Sequence, residues 1–178
     1  EALLAGYPLR LLLHTPTLTE RANALRQTCE TRATLIETVS PQILDSLSDT
    51  QTPQGVLAVV GQRNLRLPSS INFLLIADEV RDPGNLGTML RSAAAFGVGA
   101  VALTPGCVDA FSPKVLRAAM GAHFRLPILE ATWGEIAAQM RLHGLHPFVA
   151  AARQGVVCSE ANLRQPLALI IGGEAQGA

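Results

Sequence analysis

Lysine is nearly missing from this 178-residue chain: 14 residues are basic, and only Lys114 is not an arginine. Guanidinium groups are planar two-pronged donors that stay charged when partly buried, so these cations suit phosphates and carboxylates. Net charge is missing too. Acids number 14 against 14 bases, which excludes a protein that binds nucleic acid by bulk charge alone. Cysteine is scarce, with Cys29, Cys107 and Cys158 far apart and no CxxC pair. That spacing excludes a disulfide framework and a zinc site, and three reduced core thiols are expected. The histidines, His14, His123, His143 and His146, are scattered as well. His143 and His146 flank Gly144 and precede Pro147, a poor platform for helical ligands, so no metal is expected. No apolar run reaches membrane-spanning length and no leader pattern stands out, so the expectation is a cytoplasmic protein with no membrane partner. No low-complexity block occurs, and 48% of residues are apolar, which excludes disorder as the dominant state.

What is present is an alternation of apolar runs with helical periodicity. "LRLLLHT" (9–15), "ATLIETVS" (33–40) and "GVLAVVG" (55–61) read as strands. Between them "LTERANALRQTCET" places Ala22, Leu25 and Cys29 at helical spacing behind the cap candidate Thr19, and "SPQILDSLSD" opens a short helix at Pro41. The polar segment 62–70, "QRNLRLPSS", breaks all periodicity. The alternation then restarts. Strands are expected at 72–78, 99–104, 146–152 and 166–173, with a short extended piece at 124–130. Helices are expected at 85–97, 112–123 and 132–144. Continuous apolar strands between helices predict a parallel sheet covered on both faces, with ligands beyond the strands' carboxyl ends. The fold class is therefore α/β, with a small α/β unit over 1–63, a linker over 64–70 and a larger unit over 71–178. The opening "EALLAGYP" reads as the tail of a helix, and both ends read as cuts through a larger protein.

Two loops carry candidate chemistry. The first, "DEVRDPGNLGTMLRSAAAFG" (78–97), runs from a strand into a helix through Pro83 and Gly84. It lacks the paired glycines of GxGxxG, Thr104 stands where a ribose-binding acid would end the next strand, and no GK[ST] follows. A dinucleotide or Walker site is thereby disfavoured. What it offers instead is Asn85 at a helix entrance and Arg91 six residues on, close to two turns, with Gly84 and Gly87 allowing close backbone approach. Arg81, Arg117 and Arg125 lie in the same half of the chain. The second loop, "IIGGEAQG" (170–177), sets Glu174 among glycines directly after a buried strand, where backbone groups could hold an uncharged heterocycle such as adenine.

Together these loops resemble the first and second motifs of the SpoU, or TrmH-like, RNA ribose 2′-O-methyltransferases of the SPOUT superfamily. "SPKVLRAAMGAHFRLPI" is similar to that family's Arg-Ala-Ser/Ala-x-Gly-Ala stretch, and the N-terminal segment resembles the small RNA-binding domain that often precedes the catalytic one. The resemblance implies a catalytic domain of the trefoil-knot type, here lacking its C-terminal part and with the knot incomplete, S-adenosyl-L-methionine as cofactor, rRNA or tRNA as substrate, and a homodimer through the catalytic domain. By the same resemblance Arg91, Asn85 and Glu174 are the catalytic residues, and Ala151, Ile171, Gly172 and Gly177 line the cofactor. Arg81, Arg117 and Arg125 would contact RNA. Three departures are visible: Ala151 where relatives often have Thr, changes at Gly173 and Ala175, and no Ser-Leu-Asn third motif. The last implies that this chain lacks catalytic competence and binds the cofactor weakly or not at all. An always-protonated arginine is a poor base, so Arg91 reads as an electrostatic clamp on a developing alkoxide or adjacent phosphate. A non-catalytic RNA-binding protein that kept the fold, and a nucleotide-binding α/β enzyme outside the family, remain as alternatives.

Overall fold

Glycines, prolines and small hydroxyl residues cut the chain into short elements. The structure, a computed structural model, describes residues 1–173 apart from 49, 51, 64, 152–154 and 165. It divides into two units, Glu1–Arg63 and Asn64–Ala178.

In the first unit β1 (Leu9–His14) is the central strand of a three-stranded sheet, parallel to β2 (Ala33–Thr38) and antiparallel to β3 (Val56–Val60). Helix α1 (Glu20–Glu30) begins where the Thr19 hydroxyl accepts the Ala22 N–H, and α2 (Pro41–Leu47) begins where Ser40 accepts that of Ile43. Leu9, Leu12 and Cys29 form the buried centre, with Leu3, Ile36, Val56 and Val60 against it. The opening segment is not a helix: residues 2–6 form a turn that ends at Gly6 with φ +72°.

The second unit is built on five parallel strands in the order β6-β5-β4-β8-β7. They are β4 (Phe73–Asp78), β5 (Ala100–Leu103), β6 (Ile128–Glu130), β7 (His146–Val149) and β8 (Leu167–Gly172). Helices α3 (Pro83–Ala95), α4 (Pro113–Ala118) and α5 (Trp133–His143) cover them. The apolar runs are continuous because both sheet faces are buried, and the strand period of two divides them. Leu75, Ala77, Val101 and Leu103 join Leu86, Leu90 and Ala93 of α3 and Val115 of α4 in one cluster. Leu74, Ile76, Ala100, Ala102, Ala168 and Ile170 join Ile136 of α5 in the other. On α3 the buried positions 86, 90 and 93 follow helical spacing, leaving the opposite face in water.

Several sequence expectations are corrected. The α3 helix starts at Pro83, not at 85, because Asp82 caps it through the Asn85 N–H at 2.8 Å and Pro is well tolerated at a first helical position. The expected helix 112–123 is broken: α4 stops at Ala118, and Met120 (φ +51°) and Gly121 (φ +86°) turn the chain into a 3₁₀ turn, Ala122–Phe124. The extended piece shrinks accordingly to Ile128–Glu130, and β7 ends at Val149 rather than 152. Only Cys29 is a buried thiol, since Cys107 is half-buried and Cys158 exposed. Among the described residues no helix is long and apolar enough to cross a membrane.

Candidate active site

All five strands of the larger sheet are parallel, so their carboxyl ends share one edge. On that edge β4 and β8 are neighbours, with Asp78 paired to Gly172. The chain leaves β4 toward β5 on one side, while β7 lies on the far side of β8. The strand order reverses between β4 and β8, which is where open α/β sheets form their crevice. The register therefore places the start of the first loop that the sequence singled out, at Asp78, beside Gly172 at the start of the second, although they are far apart along the chain.

From β4 the chain turns through Glu79, which has φ +51°, to Asp82 and into α3. Asn85 and Arg91 both lie on the exposed face of α3. Six residues correspond to about 9 Å of rise and about 120° of rotation, so the two are offset around the helix rather than aligned. Thr88 stands between them, exposed, with its hydroxyl donating to the Gly84 carbonyl at 2.8 Å. Arg91 takes part in neither of the ion pairs formed among the described residues, Arg26–Glu30 and Arg81–Glu79. Arg81 holds Glu79 Oε2 at 2.8 Å on the surface. Arg117 is exposed in the last turn of α4, and Arg125 is exposed just after the 3₁₀ turn.

Gly87 has a different purpose from the close RNA approach expected of it. It is buried against α4, where an added Cβ would lie 2.4 Å from Ala118 Cβ and 2.8 Å from the Val115 carbonyl oxygen. Only a glycine lets the two helices approach this closely. At the end of β8, Ile171 and Gly172 are half-buried, and Ala151 lies exposed after β7. Glu174 and Gly177 lie outside the described residues.

The sequence reading passed over the residues that tie this edge together. Thr104, buried just past β5, donates its hydroxyl to Asp78 Oδ1 at 2.7 Å and accepts the Glu79 N–H at 3.0 Å. The signal was available: a polar residue ends each of two otherwise apolar strands. Beside it, over the ends of β5 and β6, opens a cavity of about 430 Å³ lined by Thr104, Cys107, Asp109, Glu130, Thr132 and Glu135. Glu135 closes a capping box with Thr132, whose backbone and hydroxyl bonds hold its carboxyl below the usual range. His123 is buried, its Nε2–H donating to the Ala110 carbonyl at 2.7 Å, and burial pushes its pKa down.

With this geometry, residues 72–178 match the SpoU rRNA Methylase family, and residues 1–65 match the family of RNA 2'-O ribose methyltransferase substrate-binding domains. The chain belongs to the SpoU rRNA Methylase family. The 23S rRNA (guanosine(2553)-2'-O)-methyltransferase RlmP of Bacillus subtilis is 36% identical over 139 residues, 78% of this chain and 56% of its own length. The human mitochondrial rRNA methyltransferase 3 is 53% identical over 90 residues, 46% of this chain and 21% of its own. The chain thus spans well under two thirds of these relatives. Among solved structures, the SpoU methyltransferase AviRb from Streptomyces viridochromogenes, in complex with AdoMet, superposes with a TM-score of 0.83 at 27% identity. That match covers 99% of this chain and 70% of the other. The SpoU fold, a mixed α/β structure around a parallel five-stranded sheet, is therefore that of this chain.

Proposed function

We propose that this SpoU chain belongs to an enzyme that transfers a methyl group from S-adenosylmethionine to a ribose 2′-hydroxyl of RNA, with ribosomal RNA as substrate class. The observation that carries the proposal is the Asp78–Gly172 pairing, which sets the start of the loop leading to Asn85 and Arg91 beside the end of β8. The names of the relatives and the AdoMet-bound SpoU neighbours support it.

The residues present fit the cofactor. Ile171 and Gly172 end β8 half-buried without a charged side chain, a lining that suits an uncharged adenine. Ala151 and Gly177 are assigned to the same pocket, and Glu174 to the catalytic set with Asn85 and Arg91. When bound, the cofactor supplies an electrophilic methyl group on a sulfonium. The chain's task is then to hold the ribose oxygen in line with that methyl, the geometry from which much of the rate derives. Arg91, exposed on α3 with its guanidinium available, clamps the developing alkoxide or the phosphate beside it. Asn85, about 1.7 turns earlier, orients the ribose. Arg81, Arg117 and Arg125 take neighbouring phosphates. Arg81 gives up only an exposed pair with Glu79 to do so, an exchange that costs at most about 1 kcal/mol.

Residues 1–63 form the RNA-binding domain, 64–70 the linker and 71–178 a catalytic domain of the trefoil-knot type, the knot incomplete within these residues, and the enzyme pairs with a second copy in the cytoplasm. The test is transfer of labelled methyl from S-adenosylmethionine to rRNA by the full-length protein, with the product mapped by resistance of the modified linkage to alkali. An alkali-resistant, methylated ribose is the expected product. RNA binding without methyl transfer would replace this reading with that of a non-catalytic RNA-binding protein.

A further inference from the structure

One buried hydroxyl stitches together the ends of two strands, β4 and β5, and no role follows for it from the proposed reaction. Thr104 is 4% exposed. Its Oγ1 spends its proton on Asp78 Oδ1 at 2.7 Å and a lone pair on the Glu79 N–H at 3.0 Å. The first bond is charge-assisted, and both lie between β4 and β5. Glu79 is held at φ +51°, a region an L-residue occupies only when its surroundings over-determine it. The surroundings are specific. A Cβ on Gly106 would meet the Glu79 side chain at 3.3 Å, and a Cβ on Gly173 would meet the Glu79 carbonyl oxygen at 2.6 Å. The next residue, Val80, accepts the Val108 N–H at 2.9 Å, and Asp82 caps α3.

Both sides of the proposed reaction centre are thus referenced to Asp78–Glu79. One side is α3 with Arg91; the other is the backbone leaving β8 at Gly172–Gly173. We propose that Thr104 is a positioning residue for methyl transfer: its hydroxyl locks the Asp78–Glu79 turn and so fixes the separation between Arg91 and the cofactor-side loop. The inference rests on the methyltransferase reading above. Removing the hydroxyl leaves a carboxylate short of one donor and a backbone N–H without its acceptor. The left-handed turn then relaxes, carrying the start of α3 away from Gly173. Catalysis is sensitive to such a shift, because a misplacement of about 1 Å can cost about 10²-fold in rate.

Two variants of the full-length protein decide it, Thr104→Val, which keeps the shape, and Thr104→Ser, which keeps the hydroxyl. In amide exchange, Thr104→Val should speed exchange at 79–88 and 171–173 about tenfold or more while 100–103 stays protected. Thr104→Ser should match the wild type. Unchanged exchange in both windows, or a uniform rise that includes 100–103, overturns the proposal. In single-turnover methyl transfer, Thr104→Val should lose on the order of 10²-fold in rate with little change in cofactor affinity, and Thr104→Ser should recover it. In an Arg91→Ala background Thr104→Val should cost no more than about twofold, because both substitutions disable one unit. Full additivity of the two losses means that Thr104 does not act through Arg91 and overturns the proposal. A wild-type protein that transfers no methyl overturns the methyltransferase reading instead, and the exchange arm alone then judges the turn lock.

Discussion

Substituting Gly87 by alanine probes the packing that carries the site. In the structure a Cβ at this position would sit 2.4 Å from Ala118 Cβ, 2.8 Å from the Val115 carbonyl oxygen and 3.1 Å from the Ala119 nitrogen. Carbon atoms pack at about 3.5–4.0 Å, so the first contact alone must open by about 1 Å. Two of the three obstacles are α4 backbone, which cannot rotate away, and the two helices must separate. Overpacking costs about 1–3 kcal/mol, contacts of 2.4 and 2.8 Å put this case at about 2–3 kcal/mol, and the gain from replacing a helical glycine by alanine offsets about 1 kcal/mol of it. The net loss is about 1–2 kcal/mol. With a urea m-value of about 2 kcal/mol/M, the unfolding midpoint should fall by about 0.5–1 M. Gly134 on α5 supplies the control. A Cβ there meets only Thr132 Oγ1 at 3.9 Å, so Gly134→Ala should leave the midpoint unchanged or raise it. An unchanged or higher midpoint for Gly87→Ala would refute the packing argument.

Other perturbations have equally definite outcomes. Asp82→Ala removes the cap on the Asn85 N–H and should cost about 1 kcal/mol in urea unfolding, whereas Asp82→Asn should cost little; equal losses for both would contradict the capping role. Burial lowers the pKa of His123, only partly offset by the Ala110 bond and by Asp109. Its contribution to stability is therefore complete above the unfolded value of about 6.5 and is lost as pH falls toward the depressed folded value. Urea midpoints should drop on acidification from about pH 8 to pH 5, by at most about 1.4 kcal/mol per pH unit from this group, and His123→Gln should flatten the drop. An identical slope in both proteins would remove His123 as its cause. A thiol reagent should modify exposed Cys158 first and Cys29 last, since burial both shields Cys29 and pushes its thiol pKa up. Early modification of Cys29 in the folded protein would contradict its placement.

What the sequence revealed and what it hid follow from the range of the interactions. The entrances of α1, α2 and α5 were legible because their signal is local: Thr19, Ser40 and Thr132 each place a side-chain oxygen on a nearby backbone N–H. The larger sheet was legible from apolar runs that only a doubly covered parallel sheet needs, such as Phe73–Asp78. The Asn85 and Arg91 pattern and the glycines after Ile171 stood out as candidates because they are chemical signals carried by the residues themselves. Pairing direction left no such trace, so nothing in β3 announces that it runs antiparallel to β1. The α4 break was hidden because Met120, an ordinary helix former, adopts a positive φ under tertiary constraint. Gly87 invited a ligand interpretation because its real partner, α4, lies well along the chain. Thr104 looked like a missing ribose acid until Asp78 and Glu79 were seen against it.

The central claim is that Arg91 stabilises charge that develops at a ribose 2′-oxygen. The direct measurement is single-turnover methyl transfer from S-adenosylmethionine to rRNA by wild-type and Arg91→Ala proteins, with cofactor affinity measured in parallel. Because Arg91 is exposed on α3, the substitution should leave folding and cofactor binding unchanged. The account predicts a rate loss on the order of 10²–10³-fold, the cost of removing one transition-state donor. An Arg91→Ala protein that methylates at the wild-type rate would contradict it.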